Sequence, residues 1–366
     1  MTEQRLTRRG LMVGAATVAG AAFGSAPAAG ASAAGAASVG GRAGGDSHVV
    51  IETVNASGGG GTGLADAVVA AFRTRRVVAI GEVHGQQEHH DALQTLLFDP
   101  RLPAVVDDIV VEFGNALYQP TADRFVSGTA VEDRDLRLIW RDTTQSPVST
   151  WDAPMYEQVY RTVRAVNWTL QAGERLRVLL GDPPIDWATV TREEVEGADR
   201  DGHMAGVVRD QVIAKGRRAL ILCGSVHAMH APPGASGGGA VQLIEEQTGH
   251  RPYVILDGGH DRLAGHARRV VLPAEGSWLA TTDSGEFSYF PGICGIPFGD
   301  LADALLYLGR VEDQTQSLWN PAIYLDPEYW AELERRKTLT GAPFDLAARY
   351  RQEQSVVWQV GGGPGC

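Results

Sequence analysis

Two copies of one pattern place histidines where chemistry could occur. Gly81-Glu82-Val83-His84 follows the apolar run Val77-Val78-Ala79-Ile80, and Gly224-Ser225-Val226-His227 follows Ala219-Leu220-Ile221-Leu222-Cys223. A short aliphatic run ending in glycine reads as a buried strand leaving a sheet, with the glycine allowing a tight exit. Each histidine then falls just beyond a strand's carboxyl end, the edge at which open parallel α/β sheets bind ligands. Acids and further imidazoles follow the other apolar runs: Glu112 and Asn115 after Ile109-Val110-Val111, Asp182 and Asp186 after Leu176–Leu180, His230 after His227, and Asp257 and His260 after Tyr253–Leu256.

Neutral imidazoles and carboxylates are good ligands for a divalent transition metal. An open coordination position would hold a water of lowered pKa, and a remaining glutamate could act as general base toward it. The residues thus point to metal-assisted water attack on an ester or amide. His84, His227, Glu82 and Glu112 share the ligand and catalytic roles, with His89, Asp182 and His230 as secondary candidates. A metal-free version uses the same residues, His84 activating water and Glu112 orienting it. His89 and His90 are adjacent on a helix and point about 100° apart, so one is expected to face the site and the other solvent. Gly237-Gly238-Gly239 lacks the lysine and serine spacing of a phosphate loop, and no Gly-x-Ser-x-Gly elbow is present.

The elements that must position these residues alternate along the chain. Strands are expected at 77–80, 109–112, 176–180, 219–223 and 253–256. Helical spacing runs over 88–98, 154–170, 201–215 and 241–248, with Pro154 near one start and Gly249 as a stop. Strands separated by helices imply an α/β fold: a mostly parallel sheet with helices on both faces and the site at the strand carboxyl ends. Beyond Gly258 the pattern loosens into turns, with helical patches near Leu301–Leu308 and Glu328–Arg336. The domain expectation is a leader over 1–45 and a single α/β domain over 46–366, its motif-bearing core at about 75–257 and an extension over 258–366.

The leader has its own chemistry. Arg8-Arg9 opens an uncharged stretch, Leu11–Phe23, followed by Ala26-Pro27-Ala28 and Ala31-Ser32-Ala33. A charged segment, a short apolar segment and small-residue cleavage patterns make a signal peptide, and the paired arginines favour the twin-arginine exporter. Leu11–Phe23 is shorter than the ~20 residues a membrane span requires. The expectation is an exported protein, extracellular or in the cell envelope, partnered by the twin-arginine machinery and without a stable membrane span after cleavage. The chain carries a formal charge of −12, of which residues 1–42 contribute +3, leaving −15. That balance argues against nucleic acid as partner and leaves a small molecule or peptide as substrate. Cys223, Cys294 and Cys366 are too scattered for a disulfide scaffold. Cys223 reads as a core residue, and a Cys294–Cys366 bridge stays open.

Gly81-Glu82-x-His84-Gly85, Glu112 at the next strand end and Gly224-x-x-His227 together resemble the superfamily that joins ChaN-type haem-binding lipoproteins, Tiki metalloproteases, TraB proteins and erythromycin esterases. The ChaN-like branch is closest in style, with Gly-Glu-x-His followed by paired histidines, here His89-His90. The likeness spans about Arg75 to Asp257. It implies that His84 and His227 are the paired motif histidines and Glu82 and Glu112 the motif acids, clustered at the carboxyl edge of the sheet. It also implies a choice between hydrolysis and non-covalent haem or iron binding. This chain departs from the lipoproteins in having no cysteine before Cys223, and the absence of Cys-x-x-Cys-His excludes covalent haem.

Overall fold

The strands are long apolar runs because both of their faces are covered, the condition that gives parallel sheets their continuous Val, Ile and Leu sequences. The computed structural model describes residues 61–351 apart from 149, 231–237, 291–292, 318–320 and 344. The leader and Cys366 lie outside the described residues. Eight strands form one sheet: β1 (Thr62–Gly63), β2 (Val77–Glu82), β3 (Asp108–Asn115), β4 (Arg177–Asp182), β5 (Ala219–Gly224), β6 (Tyr253–Asp257), β7 (Val270–Pro273) and β8 (Ala304–Tyr307). Their order is β1-β7-β8-β6-β2-β5-β3-β4. The five expected strands are β2 to β6, and they pair in parallel, as does β8 with β6.

Side chains alternate between two cores. Val78, Ile80, Ile109 and Val111 join one with Leu93, Leu97, Tyr156 and Val163 from the helices Gln87–Leu97 and Pro154–Trp168. Val77, Ala79, Val110 and Ile221 join the other with Met204, Val241 and Ile244 from Arg200–Val207 and Ala240–Thr248. Helices therefore cover both faces. Burying a side chain of this size contributes about 1.5–3 kcal/mol, so the period-2 alternation fixes each strand's register. No described helix is long and apolar enough to cross a membrane.

Three expectations need correction. The segment after Gly258 supplies β7 and β8, which pair antiparallel and extend the sheet, with β1 beyond them. The helical patch expected at Leu301–Leu308 is a short helix, Phe298–Leu301, followed by a strand. Ala304-Leu305-Leu306-Tyr307 is apolar at every position, and such a run carries no period that separates helix from strand. The expected helix at 201–215 is α-helical only to Val207, continuing as a π turn over Val208–Val212 and a 3₁₀ turn over Ile213–Lys215.

Candidate active site at the carboxyl edge of the sheet

Strand order explains why the two Gly-x-x-His motifs meet. β5 lies between β2 and β3, with Glu82 in register with Gly224 and Val111 with Leu222. Within β3 the register against β4 shifts between Val111 and Asn115. Such an irregularity re-aims the side chain it carries, and here that segment holds Glu112. The motif glycines serve close approach rather than a turn. Gly224 has φ −61°, and a Cβ there would lie 2.7 Å from His84 Cε1. A Cβ on Gly81 would lie 2.6 Å from Leu256 Cδ2 and 2.9 Å from Ser225 Cα. The turn itself is made by Gly85 at φ +84°, a conformation open to glycine.

The structure brings Glu82, His84, Glu112 and His227 together. His84 Nδ1 lies 2.8 Å from Glu82 Oε1, and His84 Nε2 lies 4.0 Å from Glu112 Oε1. His227 Nε2 is 3.3 Å from the same Glu112 oxygen, and its Nδ1 is 2.6 Å from Asp201 Oδ1. Glu112 is buried and also accepts from the Gly224 N–H at 2.6 Å, from Gln145 Nε2 at 3.2 Å and from the Arg200 guanidinium. Arg200 Nε reaches Asp182 Oδ1 at 3.3 Å, and Asp182 further accepts from the Thr144 N–H and hydroxyl. Glu82 accepts from the Tyr156 hydroxyl at 2.9 Å and from His90 Nε2 at 2.8 Å. His84 packs edge-on against Trp151, with ring centroids 4.6 Å apart, and is the most exposed of the four at 32%.

Burial opposes charge on Glu82, Glu112, His227 and Asp182, and their neighbours decide the outcome. For Glu82, desolvation is outweighed by the charge of His90 and by hydrogen bonds from His84 and His90, so its carboxyl sits well below the usual range. Glu112 is also held well below, burial being overcome by His227, Arg200 and His84. His227, penalised by burial but flanked by Glu112 and Asp201, is raised to about 9 and is an imidazolium at neutral pH. Asp182 is pushed up to about 6 by burial, against the pull of Arg200.

The secondary candidates divide. Asp182 joins the site through Arg200. His89 and His90 are both 1% exposed, which overturns the expectation that one faces solvent. Glu82 on β2 receives His90, while Asp257 on β6 receives His89 Nδ1 at 2.7 Å. Carboxylates from two strands thus meet two faces of one helix. His230 is not part of the cluster; its Nε2 bonds Asp303 at 2.8 Å. Asn115 binds the Asp142 and Ile185 carbonyls, Asp186 caps a local turn, and His260 accepts from the Arg262 N–H.

Tyr156, Arg200, Asp201, Gln145 and Trp151 complete the site and were not singled out as functional from sequence. Tyr156 carries the helical spacing of a core residue, and Arg200-Asp201 reads as an exposed helix start. The extension also reaches the site. Gln316 Nε2 donates to the His84 carbonyl at 3.2 Å, and the Ser317 N–H to the Gly85 carbonyl at 2.7 Å. Buried Arg336, on the helix Pro327–Thr340, holds Asp142 Oδ1 at 2.7 Å and the Arg141 carbonyl at 3.0 Å, fixing the loop that carries Thr144 and Gln145.

The donor set does not fit a resident divalent metal, contrary to the ligand roles expected for His84, His227, Glu82 and Glu112. Both nitrogens of His227 face carboxylates, His84 Nδ1 is taken by Glu82, and the Arg200 cation occupies the Glu112 oxygen a metal would need. Among the described residues no group of three or more His, Cys, Asp or Glu side chains could hold an ion. Non-covalent haem is no better served. His89, His90 and Tyr156 are buried and each hydrogen-bonds a carboxylate, and His84, the most exposed imidazole of the cluster, has its Nδ1 taken by Glu82.

No family model and no curated protein matches the chain. Several solved structures are distantly similar. ChaN of Campylobacter jejuni, described with cofacial haem binding, is 12% identical, with 67% of this chain and 92% of that chain covered at a TM-score of 0.34. A Bacillus cereus protein is 10% identical over 69% of this chain and 92% of its own, with a TM-score of 0.45. A succinoglycan biosynthesis protein is 7% identical over 66% and 90%, at 0.43. These distant likenesses say nothing of the chemistry, which rests on this chain's own side chains.

Proposed function

We propose that the chain is a hydrolase that activates water with His84, without a metal, to cleave an ester or amide of a small molecule or peptide. The observation that carries this reading is the 4.0 Å gap between His84 Nε2 and Glu112 Oε1. It is too long for a direct hydrogen bond, and in this proposal the attacking water sits there, bonded to both. With Nδ1–H donated to ionised Glu82, this tautomer of His84 leaves Nε2 as the acceptor for that water. His84 takes the proton as the water oxygen attacks the carbonyl carbon. The Arg200 guanidinium beside Glu112 supplies positive charge for the developing oxyanion. His84 then returns the proton to the departing alkoxide or amine.

The experiment is a panel of small esters and amides assayed on purified protein before and after exhaustive chelation, with elemental analysis and an absorption spectrum. The proposal expects hydrolysis that survives chelation. Activity restored only by a stoichiometric metal would contradict it, and a Soret band without hydrolysis would support haem binding instead.

We further propose that this activity is exported, on the strength of Arg8-Arg9 ahead of Leu11–Phe23. Replacing both arginines by lysine should leave the precursor inside the cell; unchanged secretion of the double variant would refute the twin-arginine route.

A further inference from the structure

We propose that the opposite, amino-terminal edge of the sheet carries a second site, which binds phosphoryl oxyanions through Arg73, Arg75, Arg76 and Arg218. These four arginines, with Phe72, Thr74 and Gly216, line a cavity of about 210 Å³. Two turns bring them together. The first leads from the helix Leu64–Ala71 into β2 and is held by Arg73 N–H to the Ala70 carbonyl, Thr74 N–H to the Ala71 carbonyl and Arg75 N–H to the Ala71 carbonyl. The second leads into β5 through Gly216 at φ +69°, and is tied to the first by the Ala219 N–H on the Arg76 carbonyl. Both turns are therefore fixed by backbone hydrogen bonds before any ligand arrives.

What marks the cavity is the lack of counter-charge in an acidic chain. Among the described residues, none of the four guanidinium groups has an ion-pair partner, although arginine–carboxylate pairs are frequent elsewhere. Of the carboxylates nearby, Asp108 is neutralised elsewhere, and Asp107 keeps its charge but pairs with none of the four guanidinium groups. Asp108 is held by Arg177 and Arg217, and Asp107 Oδ2 accepts the Arg218 backbone N–H at 2.8 Å. Arg217 and Arg218 are adjacent at a strand entry and point to opposite sides, so one is neutralised by Asp108 and the other is left to the cavity. Four like charges held close repel one another, and a multivalent anion relieves that repulsion. A phosphoryl group presents three or more oxygens to the planar forks of several arginines, whereas a carboxylate presents two. The cavity size suits one or two phosphoryl groups, and its lining is mostly polar, which leaves no apolar platform for a base or acyl chain.

The site is independent of the hydrolase reading, since its residues precede β2 and β5 while His84 and His227 follow them. Inorganic pyrophosphate is the probe, titrated calorimetrically at constant ionic strength, with chloride as control. Saturable binding of one pyrophosphate per chain is expected, and Arg76→Glu with Arg218→Glu should weaken it at least tenfold. Both side chains are exposed, so the unfolding midpoint without anion should stay unchanged. A soluble poly(glycerol phosphate) distinguishes the source: tighter binding per phosphate than pyrophosphate identifies a phosphodiester polymer, and equal or weaker binding identifies a small phosphate ester. Absence of saturation by about 1 mM pyrophosphate, or equal binding by wild type and the double variant, would overturn the proposal.

Discussion

His84→Ala should lower ester or amide hydrolysis by about 100- to 10,000-fold, the range expected when a positioned general base is removed. The fold should survive, because the imidazole is one-third exposed and rests on Gly224 and Trp151 instead of filling the core. Glu82 loses one hydrogen bond but keeps those from Tyr156 and His90. The loss should therefore fall on kcat at an unchanged unfolding midpoint. His250→Ala, at an exposed position outside the site, should leave activity as it is. If His84→Ala retained full activity with the same substrates, the role assigned to this imidazole would be wrong.

Glu112→Gln should produce the largest loss of stability of any single change at the site, about 3–5 kcal/mol at neutral pH, because it removes the carboxylate shared by two mostly buried cations and leaves Arg200 with Asp182 alone and His227 with Asp201 alone. The carboxylate is 1% exposed, and it neutralises Arg200 at 21% and His227 at 12% exposure. The pH dependence has a definite sign. His227 is raised in the folded protein from 6.5 to about 9, so the folded state holds its proton more tightly than the unfolded chain. The stability this contributes is fully present below pH 6.5 and is lost as pH rises through 9. His89, penalised by burial but raised on balance by Asp257, adds to the same limb. Denaturant unfolding between pH 6.5 and 9 should show wild-type stability falling with pH, and the Glu112→Gln variant should be less stable with a shallower slope. Equal slopes in the two proteins would show that Glu112 is not what holds the His227 proton.

The five parallel strands were legible because buried strands announce themselves as apolar runs bounded by glycine or acids. The antiparallel pair Val270–Pro273 and Ala304–Tyr307 was not, since runs of four residues carry too little period to read. Glu82, His84, Glu112 and His227 were legible as a group because each lies at or near the carboxyl end of a strand of one parallel sheet, and these ends share an edge whatever the strand order. Tyr156, Arg200 and Asp201 were hidden for the converse reason. They sit on helices far away in sequence, and nothing local distinguishes a tyrosine aimed at Glu82 from one packed in the core, or an arginine on Glu112 from one in solvent. The same missing information misplaced the paired histidines. Helical geometry separates His89 from His90, and only the fold shows that β2 and β6 each bring a carboxylate to receive one of them. The metal expectation followed from residue types alone, and it is Arg200, invisible as a neighbour, that turns the cluster from a ligand set into a network of ion pairs.

The most direct test of water activation by His84 is chemical rescue. Metal-free His84→Gly protein is assayed on an ester cleaved by the wild type, with increasing concentrations of free imidazole. The partly exposed ring position should admit imidazole and let it bond Glu82 as His84 does, so the account predicts a saturable recovery of hydrolysis that follows the neutral form of the added base. No recovery at any imidazole concentration, together with wild-type activity that requires an added divalent metal, would contradict it.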